Sequence, residues 1–162
     1  MLQHQFTALY TEFEKLDDLA PADKLLMEEA ISAAKSAYAP YSGFFVGAAV
    51  LLENGAVVCG NNQENAAYPS GMCGERVAMF SASAQFPGIA FKAIAIYACS
   101  DKISVNEAVT PCGSCRQVMA EYHSAFENPF RILLKGEKSS ILVFDGIESL
   151  LPLMFLSKHL KS

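Results

Sequence analysis

The chain has 162 residues, enough for one domain with a sizeable core. Its 12 Lys and Arg against 17 Asp and Glu leave a net charge of −5 with no basic cluster, which argues against a polynucleotide substrate held in a basic groove. Hydrophobic residues make up 52% and mean hydropathy is +0.23, yet no apolar run reaches the roughly 18 residues of a membrane span, so the surplus apolar surface points to subunit contacts.

In chain order, Leu2, Phe6, Leu9, Phe13 and Leu16 recur at alternating spacings of four and three. That pattern predicts an amphipathic helical extension over residues 1–20, ahead of a domain spanning 21–162. The polar face of that helix carries Lys15 against Glu12, Glu14, Asp17 and Asp18, so anionic lipid would repel it and packing on protein is expected. Met1-Leu2-Gln3-His4 has no basic region followed by a long apolar run, so no signal peptide is expected.

A second helix is predicted from about Ala22 to Ala37, ended by the loop Tyr38-Ala39-Pro40-Tyr41-Ser42-Gly43, because Pro40 disfavours helix at Ala39. Phe44 to Leu52 reads as a buried strand, Glu53-Asn54-Gly55 as a hairpin turn, and Ala56 to Gly60 as the returning strand. A helix is expected from Glu75 to about Phe86 and a central strand over Lys92 to Cys99. A further helix runs from Cys112 to about Phe126, followed by strands at Phe130–Leu134 and Ile141–Phe144. Ile147 to Phe155 looks helical until Pro152 interrupts it. This order suggests a mixed sheet with helices on both faces.

There are five cysteines, an odd number, which fits a reducing compartment. Cys112 and Cys115 have CxxC spacing, and on the first turn of a helix residues three apart share a face, so both sulfurs reach one ion. Cys73, ahead of another helix, is the best third ligand. A catalytic zinc keeps three protein ligands and one open position. Thiolates at helix N-termini also lie where the partial positive charge favours them. Glu75, two positions past Cys73, points to another face and is placed to move protons. Cys59 and Cys99 lie in strand-like runs and are expected as buried, reduced core residues. His4, His123 and His159 have no motif context and are expected to face solvent.

Cys73-Gly74-Glu75-Arg76 and Pro111-Cys112-Gly113-Ser114-Cys115-Arg116-Gln117 resemble the zinc-dependent nucleobase deaminases, in the variant whose first ligand is Cys. Tyr38 to Ala49, Asn62-Gln63-Glu64-Asn65-Ala66 and Leu150-Leu151-Pro152 narrow the resemblance to the homotetrameric cytidine deaminases. It runs from about Asp23 to Phe155, and the segments stand in the family's order.

The resemblance implies a three-layer α/β/α sandwich with a mixed five-stranded sheet. It implies one Zn²⁺ per chain on Cys73, Cys112 and Cys115, and Glu75 as the catalytic proton shuttle. Asn62 and Glu64 match the residues that hydrogen-bond the ribose 3′-hydroxyl. Phe44 matches an aromatic that packs on the nucleoside, the Gly74 N–H matches the donor to the pyrimidine O2, and Phe155 matches an aromatic that reaches a neighbouring subunit's pocket. Arg76 matches an Arg that contacts ligand sulfurs and offsets their charge. The reaction implied is hydrolysis of cytidine and 2′-deoxycytidine to uridine and 2′-deoxyuridine with release of ammonia, in cytoplasmic pyrimidine salvage, by a homotetramer whose active sites are completed across interfaces. No nucleic-acid or membrane partner is expected.

Three features depart from the family: Gly74 stands where Ala is usual, Phe45 where Pro is frequent, and Leu153-Met154 where Gly-Ala precedes the aromatic. Three rivals carry different expectations: a deaminase of a modified aminonucleoside such as an antibiotic of the blasticidin type, a polynucleotide editor, and a structural zinc protein.

Overall fold

A computed structural model describes residues 1–160. Its elements are β1 (Thr11–Phe13), α1 (Pro21–Ala34), β2 (Phe44–Leu52), β3 (Val57–Asn61), α2 (Gly74–Gln85), β4 (Phe91–Ser100), α3 (Gly113–Phe126), β5 (Arg131–Gly136) and β6 (Ile141–Phe144). The six strands form one sheet in the order β1-β6-β5-β4-β2-β3. Only β4 and β5 run parallel, joined by the α3 crossover; the other pairs are antiparallel.

The two-residue period of the strands sorts the side chains into layers. Ala93 and Ala95 of β4 and Ala49 of β2 face α1, packed with Leu26, Met27 and Ala30. Ile94 and Ile96 of β4, with Ala48 and Val50 of β2, face α2 and α3. Small residues on the α1 side let that helix come close: a Cβ on Gly47 would stand 2.0 Å from the Ala30 carbonyl oxygen. Asp23, buried at the start of α1, pairs with Arg131 of β5 and ties the helix to the sheet. In the β2–β3 hairpin, Gly55 takes a φ of 85°, the left-handed conformation the Asn-Gly pair predicts.

Several expectations are corrected. Residues 1–20 are not a helix: residues 1–10 have no regular secondary structure, Thr11–Phe13 is an edge strand on β6, and Leu16–Asp18 is a single 3-10 turn. An amphipathic stripe yields a stable helix only against a surface that buries it. Here Leu2, Phe6 and Leu9 stay exposed, and the open edge of β6 claims the chain instead. Tyr10 lies with its ring 5.4 Å from that of Phe144, and Phe13 and Leu16 join the α1-side core. The sheet therefore has six strands, not five.

Ile147 to Phe155 is not a helix either: it holds a single 3-10 turn, Ile147–Ser149, followed by irregular chain, and a second turn, Ser157–His159, lies beyond it. Pro152 removes a donor, and the carbonyls of Leu150 and Phe155 accept from α3 side chains rather than from a helical turn. Finally, Cys59 is exposed on edge strand β3 and Cys99 is half-buried near the end of β4. His123 does not face solvent freely: it is half-buried, with Nε2 3.1 Å from Glu148 Oε1. His4 and His159 are exposed.

Candidate active site

Cys73 and Cys112 are the N-cap residues of α2 and α3, both with extended backbone (φ −70° and −65°), and Cys115 lies one turn into α3. The crossover from β4 to β5 carries α3 to the same face as α2, so the two helix starts converge. Cys73 Sγ lies 3.9 Å from Cys112 Sγ, which lies 3.5 Å from Cys115 Sγ, and all three sulfurs fall within 4.8 Å of one another. With Zn–S bonds of about 2.3 Å, the edge of a tetrahedron is about 3.8 Å. The donor set therefore fits a zinc ion as it stands. Cys59 and Cys99 lie on other parts of the sheet, so the described residues supply three thiolates and leave a fourth position to a small molecule.

The electrostatics of the metal-free thiols show why one of them ionises first. Cys73 is pushed down to about 5, first by the hydrogen bond from Cys115 and then by Arg76. Cys115 is raised, because its proton is spent on Cys73 and because it is buried. Arg76 donates from Nη2 to Cys73 Sγ at 3.7 Å, and its Nε is buried with no partner among the described residues. Three thiolates and Zn²⁺ sum to one negative charge, which a guanidinium at this distance offsets.

Glu75 sits in the first turn of α2 and is only 5% exposed. Burial holds its carboxyl above the ordinary range, and the charge on Cys73 acts in the same direction. A carboxyl so raised is a stronger proton acceptor than an ordinary carboxylate. Gly74, at the first helical position, packs against the β2–β3 layer: a Cβ there would stand 2.9 Å from the Val46 carbonyl oxygen.

Beside Cys73 opens a cavity of about 570 Å³ lined by Tyr41, Ser42, Asn62, Glu64, Tyr68, Cys73 and Arg76, among others. In its lining Glu64 Oε2 accepts from the N–H groups of Tyr41 (2.9 Å) and Ser42 (3.2 Å), which leaves Oε1 for a ligand. The Ser42 side chain, then the Tyr41 N–H, hold the Glu64 carboxyl below its ordinary range. The Asn62 amide is partly committed: Oδ1 accepts from the Val46 N–H (2.8 Å) and Nδ2 donates to the Phe44 carbonyl (2.9 Å), leaving one N–H.

Of the residues singled out from sequence, Cys73, Cys112, Cys115, Glu75, Gly74 and Arg76 gather at the two helix starts, and Asn62 and Glu64 line the cavity. Phe44 begins β2 half-buried, outside the cavity lining. Phe155 is 56% exposed and does not line this chain's cavity; its carbonyl is held by Gln117. Sequence reasoning missed Tyr68, whose ring stands edge-on to Tyr41 at 6.3 Å. The signal was an aromatic ahead of Pro69 in the loop leading to Cys73.

The family model described as the cytidine and deoxycytidylate deaminase zinc-binding region matches residues 21–126. The chain belongs to this family. A cytidine deaminase of Halalkalibacterium halodurans is 41% identical over 74% of the chain and 86% of its own length. One from Sporosarcina psychrophila is 42% identical over 69% of the chain and 78% of its own length. The crystal structure of a Burkholderia pseudomallei cytidine deaminase superposes with a TM-score of 0.70 at 39% identity, covering 81% of this chain and 97% of that one. The family's fold is thus the α/β fold found here, with β1 lying ahead of the family match.

Proposed function

We propose that this deaminase hydrolyses cytidine to uridine and ammonia, with Glu75 as its catalytic acid–base. The observation that carries the reading is the placement of a buried Glu75, its carboxyl held above the ordinary range, beside three sulfurs at tetrahedral spacing and next to a nucleoside-sized cavity. Zinc on those sulfurs supplies a Lewis acid that makes water nucleophilic near neutral pH. Glu75 takes the proton from the attacking water and delivers protons to pyrimidine N3 and to the departing amine. The Gly74 N–H, at the positive end of α2, binds the pyrimidine O2. Glu64 Oε1 and the remaining Asn62 N–H hold the ribose 3′-hydroxyl, so 2′-deoxycytidine is accepted as well. This chemistry serves pyrimidine salvage.

Leu153 and Phe155 are strongly exposed, which supports a homotetramer in which Phe155 enters a neighbour's pocket. The net charge of −5 supports a free nucleoside over a polynucleotide. The described helices include none long and apolar enough to cross a membrane.

The test is the ultraviolet absorbance change of cytidine with zinc-loaded protein, with Glu75→Gln as the paired variant. The wild type turns over, while Glu75→Gln keeps its zinc and loses roughly 10²- to 10⁴-fold in kcat. Turnover by Glu75→Gln within tenfold of wild type would remove the role. Absence of turnover by either, at full zinc occupancy, would replace cytidine by another aminonucleoside.

A further inference from the structure

Arg116 follows Cys115 on the first turn of α3, and all three nitrogens of its guanidinium are engaged. Nε donates to the Pro111 carbonyl at 2.8 Å, Nη2 to Thr110 Oγ1 at 2.9 Å, and Nη1 to the Leu150 carbonyl at 2.9 Å. Two of these acceptors immediately precede Cys112; the third caps the Ile147–Ser149 turn that follows β6. The Arg116 backbone N–H also donates to the Cys112 carbonyl at 3.0 Å. One residue therefore grips the Thr110–Cys112 corner by its main chain and its side chain together.

That corner needs an external hold. Cys115 is fully buried, and the helix and the core fix its sulfur. Cys112 is exposed and its backbone is extended, so beyond the one ladder bond its carbonyl accepts from the Arg116 N–H, no side-chain packing sets its position. A guanidinium presents donors in fixed, coplanar directions, which a lysine ammonium on a flexible stem does not. Gln117, the next residue, donates from Nε2 to the Phe155 carbonyl at 2.6 Å. The start of α3 is thereby fastened to the C-terminal segment at two points.

We propose that Arg116 is a positioning residue for the zinc centre: it locks the Thr110–Cys112 corner to the C-terminal segment so that Cys112 Sγ is held at bonding distance from an ion on Cys73 and Cys115. This rests on the reading of the three cysteines as zinc ligands. Removal of the clamp frees the exposed ligand first, so the metal leaves faster even where the fold survives.

The experiment compares wild-type protein with Arg116→Gln, Arg116→Lys and Thr110→Val. Zinc release to a chromogenic chelator, the thiolate-to-cobalt absorption of cobalt-substituted protein, and the melting temperature are followed together. Arg116→Gln is expected to release zinc about 10- to 100-fold faster and to shift the cobalt band, with Arg116→Lys failing to restore either. Thr110→Val, which removes one of the three bonds, is expected to accelerate release by a smaller factor. Release rates and cobalt spectra equal to wild type overturn the proposal, whatever the melting temperature does. If Arg116→Gln does not fold, Thr110→Val decides on the same criterion. A wild-type protein with no thiolate-to-cobalt band overturns the zinc reading, and this proposal with it, whereas a normal band with unchanged release overturns the role of Arg116 alone.

Discussion

Gly60 of β3 lies under α2, and the substitution Gly60→Ala tests how tightly the fold holds the active site. A Cβ at this position would stand 2.4 Å from the Ala78 nitrogen, 2.8 Å from Ala78 Cα and 2.9 Å from the Val77 carbonyl carbon. All three atoms are helix backbone, so no side chain can turn aside. To bring the 2.4 Å contact to 3.4 Å, where ordinary van der Waals contact begins, α2 must retreat by about 1 Å. Overpacking of this kind costs about 1–3 kcal/mol, or roughly 2–12 °C in Tm for a chain of this size. The helix carries Cys73 at its cap and Glu75 in its first turn, and a 1 Å misplacement of reacting groups can lower the rate about 10²-fold. The assay is a melt of the zinc-loaded protein together with its zinc content and steady-state cytidine turnover. Gly113→Ala, at the first position of α3, is the control: its Cβ would meet nothing within 4 Å, and its stability should stay within about 0.5 kcal/mol of wild type. A Gly60→Ala protein with unchanged Tm and unchanged kcat would refute the claim that close β3–α2 packing sets the position of Glu75.

Arg76→Ala removes the donor to Cys73 Sγ and leaves the zinc thiolates uncompensated; zinc should remain bound at one per chain while kcat falls about 10- to 100-fold, read by metal analysis and turnover on one preparation. Glu64 should make cytidine KM flat from alkaline pH down to the ordinary carboxylate range. Its folded pKa is depressed, so its ionised form persists below the unfolded value, and binding weakens only as pH falls through the depressed pKa. A KM that rises already between pH 7 and 6 would contradict this. Deletion of residues 1–14 uncovers the edge of β6 and the face of Phe144; light scattering should then show concentration-dependent association absent from the full chain. For the subunit reading, co-expression of a Glu75→Gln chain with a Phe155→Ala chain should yield mixed oligomers with altered activity per intact site, whereas activity independent of the partner chain would confine each site to one subunit.

The chemistry of this protein was written locally. Zinc ligation needs thiolates at short fixed spacings, and a helix start brings residues three apart onto one face, so Cys112 and Cys115 were legible without a structure. Glu75 was marked as a proton-shuttle candidate by its place beside Cys73, and Arg76 by the family resemblance. The strands β2 and β6 were equally plain, because a run of apolar residues bounded by turn formers has few other solutions. What eluded sequence reasoning depended on partners distant along the chain. The Leu and Phe spacing of residues 1–20 satisfies a helix, but the free edge of β6, some 130 residues later, offers backbone pairing that no local pattern encodes. Ile147 to Phe155 has helical composition, yet Arg116 and Gln117 draw off its carbonyls. Residue types therefore marked which atoms are candidates for that chemistry. Only the tertiary structure, through the β4–α3–β5 crossover and the close approaches at Gly47 and Gly60, decided that those atoms meet, because sulfurs from two helix starts share one ion only when the sheet beneath holds both helices in register.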